Sequence, residues 1–265
     1  MIAGVRLHIE VGGAIVQRCP RLTLLSRRHA PLSCAAVHLP DPDGSLAGAF
    51  AVGDAVRVEY GYRGGASGVW TGTVRGSLRV NRDQLCLLAD GPDRALLTTR
   101  IRECYADESS EAIVRHLLGH TGLTIADVEI PAETIGRFPV ANIPAWQAVR
   151  QLLHTLERAH GHDMRNTALW LGADGLRLGD LDEPGDVPVI ATGDNLIRHQ
   201  PSDTQKGLHT VETFLLPGLT HSRRFRLTDT RLGLDATHRA LEVRHVIEPN
   251  RVRTFVGYGR ENVWC

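Results

Sequence analysis

Apolar and polar residues alternate strictly from Ala55 to Tyr62, so Val56, Val58, Tyr60 and Tyr62 share one side of an extended chain. Arg57, Glu59 and Gly61 take the other side. Arg63–Gly68 is rich in glycine, as a chain reversal requires, because glycine reaches positive φ without a Cβ clash. Alternation then resumes, placing Trp70, Val74, Leu78 and Val80 together opposite Thr71, Thr73 and Arg75. The whole stretch Gly53–Val80 therefore reads as a long β-hairpin with one buried face. Gly72 and Gly76 fall on that face, and the reading assigns Gly53, Gly72 and Gly76 the task of bending the hairpin toward barrel closure. Val56, Val58, Tyr60, Trp70 and Val74 are its core candidates.

The same period-2 pattern predicts strands over residues 2–10, Arg21–Ser26, Ser33–Leu39 and Leu85–Ala89. DPDGS at Asp41–Ser45 reads as a tight turn. Its Asp-x-Asp-Gly opens like a calcium loop, but the later ligands and the closing Glu are missing. About six strands and no helix thus precede residue 95.

The period changes after that. Asp107-Glu108-Ser109-Ser110 supplies capping oxygens, and Ile113, Val114, Leu117 and Leu118 follow at helical spacing up to Gly119 or Gly122. A second helix is predicted from Pro144, with Trp146, Val149, Leu153 and Leu156 as its stripe and Gly161 as its stop. Ala168–Gly179 reads as a hairpin turning at Ala173-Asp174-Gly175, and Asp182–Pro188 as a linker. Strands return at Val211–Leu216, Arg224–Thr228, Leu241–Glu248 and Arg251–Tyr258. In the last pair Leu241, Val243, His245 and Ile247 share a face, as do Val252, Thr254, Val256 and Tyr258; Val243 and Val256 are core candidates.

The expected fold is therefore a β-rich α+β protein: two small antiparallel β-barrels, residues 1–95 and 195–265, bracketing a mixed α+β insert, residues 96–194. A chain of 265 residues is long enough for such a division.

Composition narrows the function. Acidic and basic residues number 30 each, so no net field draws nucleic acid or an anionic membrane. Only Lys206 is a lysine, and the arginines are scattered rather than clustered. Five cysteines (Cys19, Cys34, Cys86, Cys104, Cys265) without a CxxC pair suit a reducing compartment. No run approaches the roughly 20 apolar residues of a membrane span, and no signal peptide is read at the N-terminus.

No motif carries catalysis. His116 and His120 have the spacing of a zincin pair, yet Leu117 stands where the general base would be. His160-Gly161-His162-Asp163 has chelating types at a helix end, where polar residues are expected anyway. Gly64-Gly65-Ala66-Ser67-Gly68 lacks the nucleophile-elbow spacing. The pairs Asp180/Asp182 and Glu108/Glu111 read as solvated surface, although folding can bring carboxylates together for glycoside hydrolysis. Neither a phosphate loop nor a dinucleotide fingerprint is present. The expectation is no catalytic residue, no metal and no cofactor.

Taken in order, the segments resemble the phage baseplate or tail hub family: the late-control D proteins, the Mu-like tail hub and the hub portion of the VgrG spike proteins. VGDAVRVEYGY followed by VWTGTVRG is similar to that family's first hairpin, with Gly53, Val56, Val58, Gly72 and Val74 at matching positions. TTRIRECYADESSEAIVRHLLGHTGLTI, IPAWQAVRQLLHTLERAHGHDM and ALWLGADGLRLG resemble the segments that follow, and ALEVRHVIEPNRVRTFVGYG the closing barrel. Glu248 stands near the family's usual histidine. The resemblance implies a non-enzymatic homotrimer whose paired barrels form a pseudo-sixfold ring between tail tube and central spike. It implies contacts with tube or distal tail proteins, spike and tape-measure protein. It further implies DNA only in transit through the lumen, no stable membrane association, and a place in the virion tail after assembly in the host cytoplasm. Two other readings stay open: a tail-tip cell-wall hydrolase, and a receptor- or carbohydrate-binding β-module, the latter disfavoured by 5% aromatic content.

Overall fold

A computed structural model describes residues 4–46, 48–202 and 207–260. Lys206, Cys265 and the first residues of the strand expected over 2–10 lie outside them. Two compact units are present. The first comprises residues up to Arg27, Leu32–Pro92 and Pro184–Arg260; the second contains Arg28–Pro31 and Asp93–Glu183.

The N-terminal part of the first unit holds seven strands and no helix: Val5–Val11 (β1), Ala14–Ile15 (β2), Arg21–Arg27 (β3), Ala30–Pro40 (β4), Ala55–Tyr62 (β5), Ser67–Asn81 (β6) and Gln84–Asp90 (β7). The second unit carries Ala95–Thr98 (α1), Arg100–Ser109 (β8), Ser110–Gly119 (α2), Ile125–Val128 (β9), Thr134–Pro144 (β10), Ala145–His160 (α3), Ala168–Leu171 (β11) and Leu176–Gly179 (β12). The first unit then resumes with Val189–Ala191 (β13), Leu196–Gln200 (β14), His209–Phe214 (β15), Arg224–Asp229 (β16), Leu234–Arg239 (β17), Glu242–Glu248 (β18) and Arg251–Tyr258 (β19).

In the first unit an eleven-stranded sheet runs β14-β15-β19-β18-β3-β4-β7-β6-β5-β1-β2, and a smaller sheet runs β13-β16-β17. The strands from the two ends of the chain thus share one sheet, joined where β18 pairs with β3 in the register Val243↔Ser26 and His245↔Leu24. None of the sheets closes on itself, so the closed barrels expected from the sequence are not seen. Two cores line the unit. Ile9, Leu22, Val37, Val56, Val58, Val74 and Leu87 belong to one, and Val211, Phe225, Leu227, Val243 and Val256 to the other.

In the second unit the two longer helices pack their apolar faces against short sheets. Ile113, Val114, Leu117 and Leu118 of α2 and Ala148, Val149, Leu152 and Leu156 of α3 are fully buried. The Ser109 hydroxyl accepts from the Ala112 N–H at 3.2 Å and starts α2, as the capping pattern predicts. Gly161, at φ +77°, ends α3 with its N–H on the Glu157 carbonyl, while the His162 N–H reaches the Leu156 carbonyl. Pro144 sits one position earlier than expected, as the residue before the first helical turn, at φ −57° and ψ 146°. Arg28 is also part of this unit. It has no solvent exposure, donates to the carbonyls of Leu181 (2.8 Å), Asn166 (3.1 Å) and Gly179 (3.2 Å), and lies 4.4 Å over the Trp170 ring.

One expectation fails within the long hairpin. Leu78 and Val80, predicted inward, are each 45% exposed. The register of β6 against β7 shifts between Val74 and Gly76, inserting one extra residue at Arg75. Because strand side chains alternate with period two, one inserted residue exchanges the faces. Beyond the bulge Ser77 and Arg79 lie opposite the core residues Leu87 and Leu85, and Leu78 opposite Cys86. Arg79 then reaches the buried Asp41 carboxylate at 2.7 Å. Asp41 also accepts from the Leu46 N–H at 3.0 Å, so the DPDGS carboxylate that suggested a calcium loop serves its own turn.

Candidate functional site

The sequence-selected residues fall in two places. Val56 (2% exposed), Val58 (0%), Tyr60 (6%) and Val74 (2%) are buried in the first core, with Trp70 partly buried against it. Val243 and Val256 lie in the other core, directly opposite each other on β18 and β19. What joins the two regions within this unit was not read from the sequence. The Tyr60 hydroxyl donates to the Pro217 carbonyl at 3.2 Å, and the Tyr60 ring stands 5.2 Å from the His245 ring. A Cβ on Gly68 would meet that same Pro217 oxygen at 2.5 Å. The hairpin thus meets the 215–219 segment at the Pro217 main-chain carbonyl, which carries no side-chain signature for a sequence pattern to detect, and at Leu215, whose side chain belongs to the first core.

Geometry separates the three hairpin glycines. Gly53 adopts φ +97° and donates its N–H to the Val74 carbonyl at 2.9 Å. An added Cβ on Gly72 would collide with the Asp90 carbonyl oxygen and with the Trp70 ring. A Cβ on Gly76 would meet nothing within 4 Å.

His245 is the most deeply placed ionisable group of this junction. Its Nδ1 lies 2.9 Å from the Thr254 hydroxyl and its Nε2 3.1 Å from the Leu219 carbonyl. A carbonyl only accepts, so Nε2 carries the proton and Nδ1 accepts from Thr254. Burial lowers the His245 pKa to about 4, against the partial support of the Leu219 carbonyl. The unfolded chain protonates near pH 6.5, while the folded chain stays neutral until about 4. Stability therefore falls as pH drops from about 6.5 to about 4 and levels off below, a loss of about 3 kcal/mol. Denaturant midpoints measured across that range should show this decline, and His245→Gln should flatten it. An equal slope in the variant would remove His245 as its source.

The residues with candidate chemistry find partners within the chain. His116 Nδ1 is 2.9 Å from the Tyr105 hydroxyl, and its ring meets the His120 ring edge-on at 4.8 Å. His160 and His162 both approach Glu133, at 3.4 and 2.7 Å. Among the described residues no group of three His, Cys, Asp or Glu is disposed to hold a metal ion. Glu111 pairs with Arg115 at 2.7 Å, and Asp180 lies 3.4 Å from the Asn166 amide. An acid–imidazole–phenol chain does exist: His199 Nδ1 lies 2.9 Å from Asp229, and the Tyr258 hydroxyl 2.9 Å from His199 Nε2. Its terminal phenol is buried and pushed up to about 12, mainly by burial, so it offers no accessible nucleophile.

Several arginines are engaged across strands: Arg27 with Glu242 at 2.7 Å, Arg226 with Asp235 at 2.7 Å, and Arg251 with Glu212 at 2.9 Å. Each such exposed pair contributes only about 0–1 kcal/mol. No helix is long and apolar enough to cross a membrane among the described residues.

No protein-family model and no curated protein sequence matches the chain. Solved structures do. A tail protein from Neisseria meningitidis MC58 superposes with a TM-score of 0.67 at 14% identity, over 98% of both chains. The 43 kDa tail protein of prophage MuSo2 from Shewanella oneidensis gives 0.68 at 13% identity, also over 98% of both. The fold is that of phage tail proteins. An Escherichia coli type VI secretion component, described as similar to the T4 tail proteins gp27 and gp5, gives 0.63 at 9% identity over 95% of this chain and 76% of its own. The resemblance carried by the ordered sequence segments and the likeness of the whole fold point the same way.

Proposed function

We propose that this chain is a structural hub of a phage tail or phage-derived injection machine. It acts by shape rather than by catalysis, as a threefold ring of pseudo-sixfold character that joins the tail tube to the central spike and lets DNA through. The observation that carries the reading is the end-to-end match with two tail proteins, in which 98% of each chain is covered. Topology supports it. Among the described residues the eleven-stranded sheet ends in two strands paired on one side only, β14 with β15 at one edge and the two-residue β2 with β1 at the other. Two different edges suit a head-to-tail contact, and such a contact closes a ring when the rotation allows. Equal numbers of acidic and basic residues suit a lumen that DNA crosses without being held.

Mass measurement of the purified chain should show a species at three times the 29.0 kDa chain mass, with particles lacking the protein stalled before tube and spike join. A strict monomer at high concentration, together with normal tails in its absence, would rule the hub out. Clearing of peptidoglycan in a gel assay would instead favour a tail-tip hydrolase.

A further inference from the structure

Behind the edge strand β14, three histidines surround one tyrosine. The Tyr258 ring lies 4.3 Å from the His238 ring, 5.0 Å from His209 and 5.9 Å from His199, with Phe225 edge-on at 5.7 Å. The four rings come from four different strands: β14 gives His199, β15 His209, β17 His238 and β19 Tyr258. Both sheets of this part of the unit contribute, since β17 and β16 belong to the smaller one. Among the described residues the other charged groups at the cluster are Asp229, fully buried at the end of β16, and Arg231, whose Nε is 3.8 Å from that carboxylate.

The hydrogen bonds suit neutral imidazoles. Ionised Asp229 only accepts, so His199 donates to it from Nδ1, and while that ring is neutral its Nε2 receives the Tyr258 hydroxyl. His209 Nδ1 accepts the Ser202 N–H at 3.0 Å, which requires that nitrogen to be unprotonated. His238 Nε2 is enclosed and finds no hydrogen-bond partner. In this state Asp229 and Arg231 balance, and the imidazoles need carry no charge. The His199–Asp229 bond ties β14 to the smaller sheet, and at the strand's start the Asn195 amide accepts from the Ala191 N–H and donates to the Val189 carbonyl of β13, each at 2.9 Å.

We propose that this cluster is an acid-sensitive latch that holds β14 onto the smaller sheet and releases it when the imidazoles become charged. One proton on His199 is matched by Asp229. Among the described residues a second or third has no further carboxylate in the cluster to meet it, and charged rings about 4–6 Å from a common phenol repel one another in a poorly solvated space. Protonation of His209 at Nδ1 also turns the acceptor of the Ser202 N–H into a donor and removes that bond. Burial lowers the His238 pKa, with His209 and His199 adding to the effect, as expected of a ring that resists the charge. The inference does not depend on the hub role.

Hydrogen exchange of the intact chain at pH 7.5, 6.0 and 5.0, corrected for intrinsic rates, tests it. Leu196–Gln200 should lose at least tenfold in protection between pH 7.5 and 5.0 while Gln84–Asp90 in the same unit keeps its own. His209→Gln and His238→Gln, each matching the wild type at pH 7.5, should cut that loss at least threefold. Should either variant fail to fold, ring NMR titration of the wild type replaces it: the His209 and His238 protonation midpoints should coincide with the loss of protection. Parallel loss in Gln84–Asp90, a pH-independent β14, wild-type behaviour of the folded variants, or midpoints apart from the opening would each overturn the latch.

Discussion

Gly72→Val is expected to destabilise the first unit by about 3 kcal/mol or more, at the upper end of overpacking costs in a filled interior. Gly72 lies opposite Val56, on a strand paired on both sides, with β5 and β7 as neighbours. The atoms in the way are the Asp90 carbonyl group, whose carbon would stand 2.9 Å from the new Cβ, and the Trp70 ring. A carbonyl belonging to the neighbouring strand cannot rotate aside as a side-chain tip can, so relief requires β6 and β7 to part. Alanine brings the same Cβ and should show much of the effect. Gly76→Val is the matched control. It adds the same atoms to the same strand in open space, and its stability should stay within about 0.5 kcal/mol of the parent. Chemical unfolding of the three variants checks this, and similar losses at Gly72 and Gly76 would show that strand curvature matters here rather than space.

Arg28→Ala should have an effect of similar size in the second unit. The fully buried guanidinium supplies donors to three main-chain carbonyls and packs over Trp170. Each carbonyl left without a donor costs about 1–3 kcal/mol, and the lost stacking adds up to about 2. A loss above about 4 kcal/mol is the expected result, read from the unfolding midpoint or from tryptophan fluorescence at Trp170. Arg28→Lys keeps the charge but not the planar fork, so it should recover less than half of that loss. A change below about 1 kcal/mol in Arg28→Ala would mean that water or a rearranged neighbour takes over the carbonyls.

Local signals in the sequence were legible where one residue type has one physical use. Ser109 caps a helix because its hydroxyl reaches back to a free N–H, and Gly161 ends one because it adopts positive φ. Alternation located β5, β18 and β19 for the same reason. It failed where strands face water on most positions: β8 buries only Ile101 and Tyr105 among its ten residues, and β17 buries none fully. It failed again at Arg75, where a bulge exchanges faces with no mark in composition. Pairing between distant strands was beyond its reach, because period reports a strand's face and not its neighbour. The site was legible in the same proportion. Val56, Val58 and Tyr60 could be placed on a face, but neither the approach of Pro217 to Tyr60 nor the gathering of His199, His209 and His238 around Tyr258 could be foreseen.

The pairing of β3 with β18 has a consequence in time. Arg27 and Glu242, joined at 2.7 Å, are 215 residues apart in the chain. At roughly 5–20 residues per second, a ribosome needs roughly 10–40 s to deliver the partner of a strand already made. Throughout that interval β3 offers an unpaired edge with Leu22 and Leu24 not yet enclosed. The Asp93–Glu183 segment is meanwhile complete and has a core of its own. The unit inserted in the middle of the chain is thus made whole first, and the eleven-stranded sheet waits for the last strands. Chains halted before Glu242 should therefore be the aggregation-prone species, and the speed of translation through the final third should set the yield of folded protein.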